Sequence, residues 1–154
     1  MNYWLIKSEG TCYSIDDLKR DKKTSWSGVR NYQARNFMMK DMQIGDKVLF
    51  YHSGGDNNNP TGVYGLAKVA SKSHIDETQF DKKSHYYEPR ATKEKPMWEC
   101  VKIKFVKKFK NPIKIAELRI DPQLSGMHML QKGSRLSVTP VSEGEWGRIQ
   151  ELNV

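Results

Sequence analysis

The sequence predicts an α+β domain: a curled, largely antiparallel sheet with helices packed at its edges. Three observations lead there. Two strong β runs, Lys47 to Ser53 and Val63 to Val69, are separated only by turn formers and read as a hairpin. The other strand patterns are joined by loops and short helical stretches, which favours antiparallel pairing over a wound parallel sheet. No repeat, low-complexity tract or composition break divides the 154 residues, so one domain over 1–154 is expected.

The elements follow in order. Tyr3-Trp4-Leu5-Ile6-Lys7 is a β-prone run and reads as an interior strand. Ser14 with Asp17 three residues later is a capping box, so a short helix runs through Leu18 and Lys19. Lys22 to Ser25 reads as a polar connector. Ala34, Phe37, Met38 and Met42 fall at helical spacing behind Asn31, a good N-cap type, which predicts a helix from Asn31 to about Met42. Gly45-Asp46 is a turn, and the hairpin follows, its loop running from Gly54 to Gly62. Gly65 inside the second hairpin strand signals a bulge or a close approach to the backbone.

Ser71 to Pro96 is polar and irregular, with Tyr86 and Tyr87 in its middle. A segment of this length inside one domain reads as a functional loop. Trp98 opens the next strand, where Val101, Ile103 and Phe105 alternate with Lys102 and Lys104, and Pro112 ends it. Ile113 to Leu118 reads as a short helix, and Met127, Met129 and Leu130 as an apolar turn. Arg135 to Val141 alternates as a strand. Ser142 and Glu145 form a second capping box, heading a last helix with Trp146, Ile149 and Leu152.

The net charge is +8 and the pI about 9.4, the electrostatic footprint of a nucleic-acid partner. Cys12 and Cys100 are far apart and lack ligand spacing, so no metal is expected and two free thiols point to a reducing, cytoplasmic setting. The apolar run at the N-terminus is too short for a signal peptide, and no stretch approaches a membrane span. There is no phosphate-cradling glycine loop, no dinucleotide fingerprint and no paired histidines, so no cofactor is expected. His52-Ser53 is not a catalytic pair, because neighbours on a strand face opposite ways. Asp56 and Glu88 give no better support for acid–base chemistry, so no catalytic residue is assigned.

The stretch Trp26-Ser27-Gly28-Val29-Arg30-Asn31-Tyr32-Gln33-Ala34-Arg35-Asn36-Phe37 sets an aromatic and a glycine beside a dense group of polar side chains. A planar, polar ligand such as a nucleobase needs stacking surface beside hydrogen-bonding groups. Trp26 and Trp98 border polar loops and are candidate walls, whereas Trp4 and Trp146 sit in apolar patterns and read as core. Arg30, Arg35, Lys68, Lys102 and Lys104 are candidate phosphate contacts.

These residues also resemble a family. Trp4-Leu5-Ile6-Lys7-Ser8-Glu9, the Trp26–Phe37 run, Tyr51-His52-Ser53, Gly65-Leu66-Ala67-Lys68-Val69 and Arg135-Leu136-Ser137-Val138 are similar, in order and almost end to end, to the EVE-domain family. The resemblance implies a PUA-like fold, a curled β-barrel with flanking helices related to YTH and ASCH domains. It implies a non-enzymatic reader of a modified base, modified cytosine in DNA or a modified base in RNA. It places Trp26, similar to a cage tryptophan of YTH domains, and Asn31 at the base, with Ser8, Tyr51, Ser53, Arg135 and Ser137 around them. Trp98 completes the expected pocket. One departure is Gly10, where the family often has proline after Ser8-Glu9; the entry loop there gains freedom. The missing basic tail of nuclear members, with the chain's size, implies a stand-alone, bacterial-type cytosolic protein, expected to be a monomer without metal or membrane partner. The alternatives are a small enzyme acting on a nucleotide or modified base, and an RNA-binding or interaction scaffold without base specificity.

Overall fold

The computed structural model describes residues 1–153. Its main sheet has six strands in the order β2-β7-β4-β3-β1-β8. These are β1 (Tyr3–Glu9), β2 (Lys23–Ser25), β3 (Lys47–Ser53), β4 (Gly62–Val69), β7 (Lys102–Lys114) and β8 (Val138–Val141). A separate two-stranded ribbon pairs β5 (His74–Ile75) with β6 (Glu99–Cys100). Four α-helices flank the strands: α1 (Ile15–Asp21), α2 (Tyr32–Asn36), α3 (Ile115–Ile120) and α4 (Glu143–Leu152). The sheet is the strongly curled half-barrel of the PUA-like fold.

The local signals carry most of these elements. Ser14 and Ser142 accept from the backbone N–H groups of Asp17 and Glu145, and each acid returns a bond, so both capping boxes form. Asn31 caps α2 by accepting from the Ala34 N–H, and the helix continues as a wider π turn over Phe37–Asp41. The hairpin of β3 and β4 is antiparallel and carries a register shift beside Gly65. A Cβ on Gly65 would lie 2.3 Å from the Lys107 carbonyl oxygen, which is the close approach its position signalled.

Several expectations are corrected. Lys23–Ser25 is an edge strand paired with β7, not a connector. Its three residues are too few to show alternation, so only pairing reveals it. Pro112 does not end β7. The pairing jumps from Gly65–Lys108 to Val63–Ile113, and Pro112 sits in that irregularity, where a missing N–H is tolerated. α3 begins two residues later than read. Arg135 to Ser137 precede β8 rather than belonging to it, although the Lys7 N–H donates to the Ser137 carbonyl. β1 runs parallel to β3, the one parallel pair in the main sheet.

Each face of the sheet carries an apolar core. Val48, Phe50, Ala67, Val69 and Ile103 point into a core with α1, Trp26 and Met38. Leu49, Tyr51 and Val63 point the other way, onto Leu118, Met127, Trp146 and Ile149. The period of two thus gives one strand two apolar faces, which is why β3 reads as a continuous apolar run.

His52 belongs to the first of these faces. Its ring stacks on Tyr64 at 3.8 Å, and its Nε2 accepts from the Ile15 N–H at 3.0 Å. That acceptor role requires a neutral ring. Burial lowers the pKa from 6.5 to about 4. As the pH falls, the unfolded chain takes up this proton first. The contribution of His52 to stability is therefore full above about pH 6.5 and is lost on going down towards pH 4. Urea unfolding between those limits should show a fall of at most about 3 kcal/mol from this group. A His52→Gln protein, which keeps an acceptor but does not titrate, should show a shallower fall. Identical pH profiles for the two proteins would contradict the assignment.

Candidate nucleic-acid interface

The parallel pair ends together: the register sets Glu9 of β1 beside Ser53 of β3. A cavity of about 720 Å³ opens at these strand ends. Lys7, Ser8, Glu9 and Ser53 line one side, Thr24 to Arg30 a second, and Tyr86, Arg135 and Ser137 the rest. In place of a proline turn after Glu9, the chain is closed by the Cys12 and Tyr13 N–H groups donating to the Glu9 carbonyl. Gly10 fits there against the His52 ring, where a Cβ would come within 3.0 Å of Nδ1.

Trp26 is anchored in the core. Its backbone N–H donates to Val101, and its ring meets Tyr13 and Phe50 edge to face at 6.1 and 5.5 Å. It is 8% exposed, and the exposed part faces the cavity. Two residues on, Gly28 has φ +88°, and a Cβ there would meet the Tyr86 ring at 2.6 Å. Gly28 is thus the one residue type that both takes this backbone and lets Tyr86 lie on it.

A buried carboxylate fixes this wall. Asp76 accepts from the N–H of Gly28 at 2.8 Å, from Arg30 Nη1 at 3.1 Å, and from the N–H and hydroxyl of Thr78. Burial acts to raise the Asp76 pKa, but the hydrogen bonds from Thr78, Gly28 and Arg30 outweigh it, and the net shift is downward. Arg30 donates in turn to Thr78 Oγ1 and twice to the Tyr86 carbonyl. Gln79, fully buried, accepts from the Met97 and Trp98 N–H groups and donates to the carbonyls of Asp76 and Trp98. The long loop is therefore ordered from inside.

The residues named from sequence separate into three groups. Ser8, Trp26, Ser53, Arg135 and Ser137 come together in the cavity, and the hydroxyls of Ser53 and Ser137 make no hydrogen bond among the described residues. Ser8 Oγ is occupied by the Tyr13 carbonyl at 2.8 Å.

Tyr51 and Trp98 are not cavity walls. Tyr51 points into the second core, since it lies one residue from Phe50 and so on the other face. Trp98 is 3% exposed and stacks on Tyr32 at 5.0 Å, with Arg30 and Arg35 over its ring. Arg30 is correspondingly committed within the protein, and Arg35 in part. The five donors of Arg30 go to Asp76, Thr78, Val29 and twice to Tyr86, which leaves none for a phosphate, whereas Arg35 makes three bonds, to Asn36 and Met97, and keeps two donors uncommitted.

Asn31 lies in an adjoining groove of about 420 Å³ with Gln33, Lys132 and Arg135; Arg135 lines both spaces. Lys68, Lys102 and Lys104 stand on the sheet surface, outside both.

Sequence reasoning missed Lys7, Glu9, Tyr86, Asp76 and Gln79. Tyr86 carried a signal as an aromatic in the middle of a loop already read as functional, and Lys7 and Glu9 lie inside the Trp4–Glu9 run that carries the resemblance. Among the described residues, no group of three or more His, Cys, Asp or Glu side chains is placed to hold a metal ion, and no helix is long and apolar enough to cross a membrane.

A strongly curled six-strand half-barrel with flanking helices places the chain in the PUA-like fold class. The chain belongs to the EVE domain family, which it matches over residues 2–152. It is 36% identical to mouse thymocyte nuclear protein 1 over 98% of this chain and 73% of that protein. A hypothetical protein from Leishmania major superposes with a TM-score of 0.93 at 45% identity, covering 99% of this chain and 94% of the other. The human THYN1 protein, solved in complex with 5-methylcytosine containing DNA, superposes with a TM-score of 0.91 at 33% identity over 99% and 98% of the two chains.

Asp76→Asn tests the wall. It weakens the hold on Gly28 and leaves the Arg30 cation without its charged partner. Breaking a buried pair in this way should cost about 3 kcal/mol. Chemical denaturation should show that loss, and an unchanged midpoint would contradict it.

Proposed function

We propose that this protein is a non-enzymatic nucleic-acid-binding module that takes one modified nucleobase out of its stack and into the cavity beside Trp26. The observation that carries the reading is the cavity itself. Its volume falls in the range of small-molecule sites. It combines aromatic surface from Trp26 and Tyr86 with hydroxyls at Ser53 and Ser137 that are unpaired among the described residues, a carboxylate at Glu9 and a cation at Arg135.

A hydroxyl can donate or accept, so Ser53 and Ser137 suit the mixed edge of a base. A carboxylate suits the exocyclic amine of cytosine. Modified cytosine in DNA is the favoured ligand, supported by the DNA in the human THYN1 complex. A modified base in RNA is the alternative within the same reading. The strand continues past Arg135 into the groove that holds Asn31 and Gln33, so Asn31 serves the neighbouring nucleotide. The protein acts as a cytosolic monomer, with Cys12 and Cys100 as free thiols.

A second reading, an enzyme acting on a nucleotide or modified base, has one observation in its favour. Ser25 lines the cavity with its hydroxyl 3.3 Å from His74 Nε2. The other ring nitrogen of His74 faces the Lys72 carbonyl at 3.5 Å rather than an acid. Turnover of a modified nucleoside that disappears in Ser25→Ala would favour this reading over the first.

Binding is measured with matched single-stranded and duplex oligonucleotides carrying cytosine, 5-methylcytosine or 5-hydroxymethylcytosine, as DNA and as RNA. A preference of about tenfold, or 1.4 kcal/mol, for one modified base is expected. Trp26→Ala should then lose about 1–3 kcal/mol of that affinity. Equal affinities for all probes, or a folded Trp26→Ala protein that binds as well as the wild type, would contradict the proposal.

A further inference from the structure

Four lysines stand in one row across the sheet. The register sets Lys23 opposite Lys104, Lys104 opposite Lys68, and Lys68 opposite Lys47. Directly paired residues leave a sheet on the same face, so the four side chains project together from β2, β7, β4 and β3. Their chain neighbours Ile103, Ala67, Val69 and Val48 all enter the core that holds Trp26, which puts the lysines on the opposite face. Lys23 and Lys104 are exposed, and Lys68 and Lys47 are half-buried. Among the described residues, none of the four has an ion-pair partner.

Like charges directly opposite one another destabilise a ladder. Here the opposition is repeated across three successive strand pairs with no acid between them. A scattered basic surface would serve solubility equally well without that cost. At about 4.8 Å between strands the row is about 14 Å long. Successive phosphates on one strand of B-DNA advance ~3.4 Å along the axis, so a row of this length spans a short run of them. Lys102, two residues from Lys104 on β7, pairs with Ser25, and Ser25 lines the base cavity. The basic surface therefore reaches the cavity rim.

We infer that this row is a second contact surface for nucleic acid, binding the phosphate backbone on the sheet face away from Trp26. It rests on nucleic acid being the ligand class of the cavity, and not on which base is read. A long duplex or strand would touch the domain at the cavity and again along the row, whereas a short oligonucleotide would reach the cavity alone.

The test is fluorescence anisotropy with an unmodified duplex of about three helical turns, over a range of salt. Lys68→Ala/Lys104→Ala should bind it about fivefold or more weakly than the wild type. Its log–log salt slope should be flatter by about 1.8, from two lost phosphate contacts. Its melting temperature should be equal or higher, because a like-charge pair has been removed. This combination of better stability with poorer binding is not produced by structural damage. If the double variant melts early, Lys23→Ala/Lys104→Ala, at two exposed positions, is measured in its place.

An unchanged affinity and slope in a folded variant would overturn the inference. So would a wild type that ignores the duplex at low salt, or one that prefers phosphatidylserine vesicles to it. The cavity reading fails separately: it falls if the wild type does not discriminate the modified base, while the salt slope of a Trp26→Ala protein still reports the row.

Discussion

The Asp76 carboxylate, 1% exposed as a side chain, holds the candidate site together. It ties the backbone at Gly28 and the Arg30 side chain to the start of the loop that carries Tyr86. A carboxylate buried alone would be driven to its neutral form. Here it receives two backbone N–H groups, a hydroxyl and a guanidinium, and stays charged. The Gly28 end of this network sets the backbone on which Tyr86 rests, and the Arg30 end grips the Tyr86 carbonyl. Gln79 does the same work without charge, its amide satisfying four backbone groups across the loop. Asp46 repeats the device at the far end of the sheet, accepting from the Trp4 indole and from the Asn2 and Gln43 N–H groups.

The sheet supplies the remainder. Its one parallel pair brings the C-terminal ends of β1 and β3 to the same place, so Lys7, Ser8, Glu9 and Ser53 converge without any loop having to position them. Two apolar cores, one on each face, hold these strands rigid. The cavity is consequently preorganised, which limits the ordering that a ligand must bring about. Its polar groups are short side chains on strand ends, with Arg135 at the border of the adjoining groove.

Much of this was legible in the sequence, for local reasons. The capping boxes at Ser14 and Ser142, the Asn31 cap and the β3–β4 hairpin all follow from residues within a few positions of one another. Trp26, Ser53 and Ser137 were legible through resemblance, which records spatial convergence that periodicity does not.

Other features depend on distant partners. Nothing near Asp76 in sequence shows that it will meet Gly28, and nothing near Lys23 shows that it will pair with Lys104. Tyr51 and Trp98 looked like pocket residues because both are aromatics beside polar segments. Strand parity turned Tyr51 to the other core, and Tyr32 with two arginines enclosed Trp98. Arg30 looked like a free cation for the same kind of reason: charge is visible in a sequence, but the carbonyls and carboxylates that occupy it are not.

The central claim is that the cavity beside Trp26 holds a base. A crystal structure of the protein with a short DNA strand carrying one 5-methylcytosine tests it most directly. The account predicts the methylated base out of its stack, against Trp26, with its edge within hydrogen-bonding distance of Ser53 or Ser137 and its phosphate beside Arg135. A base lodged elsewhere, with the cavity beside Trp26 holding only water, would contradict it.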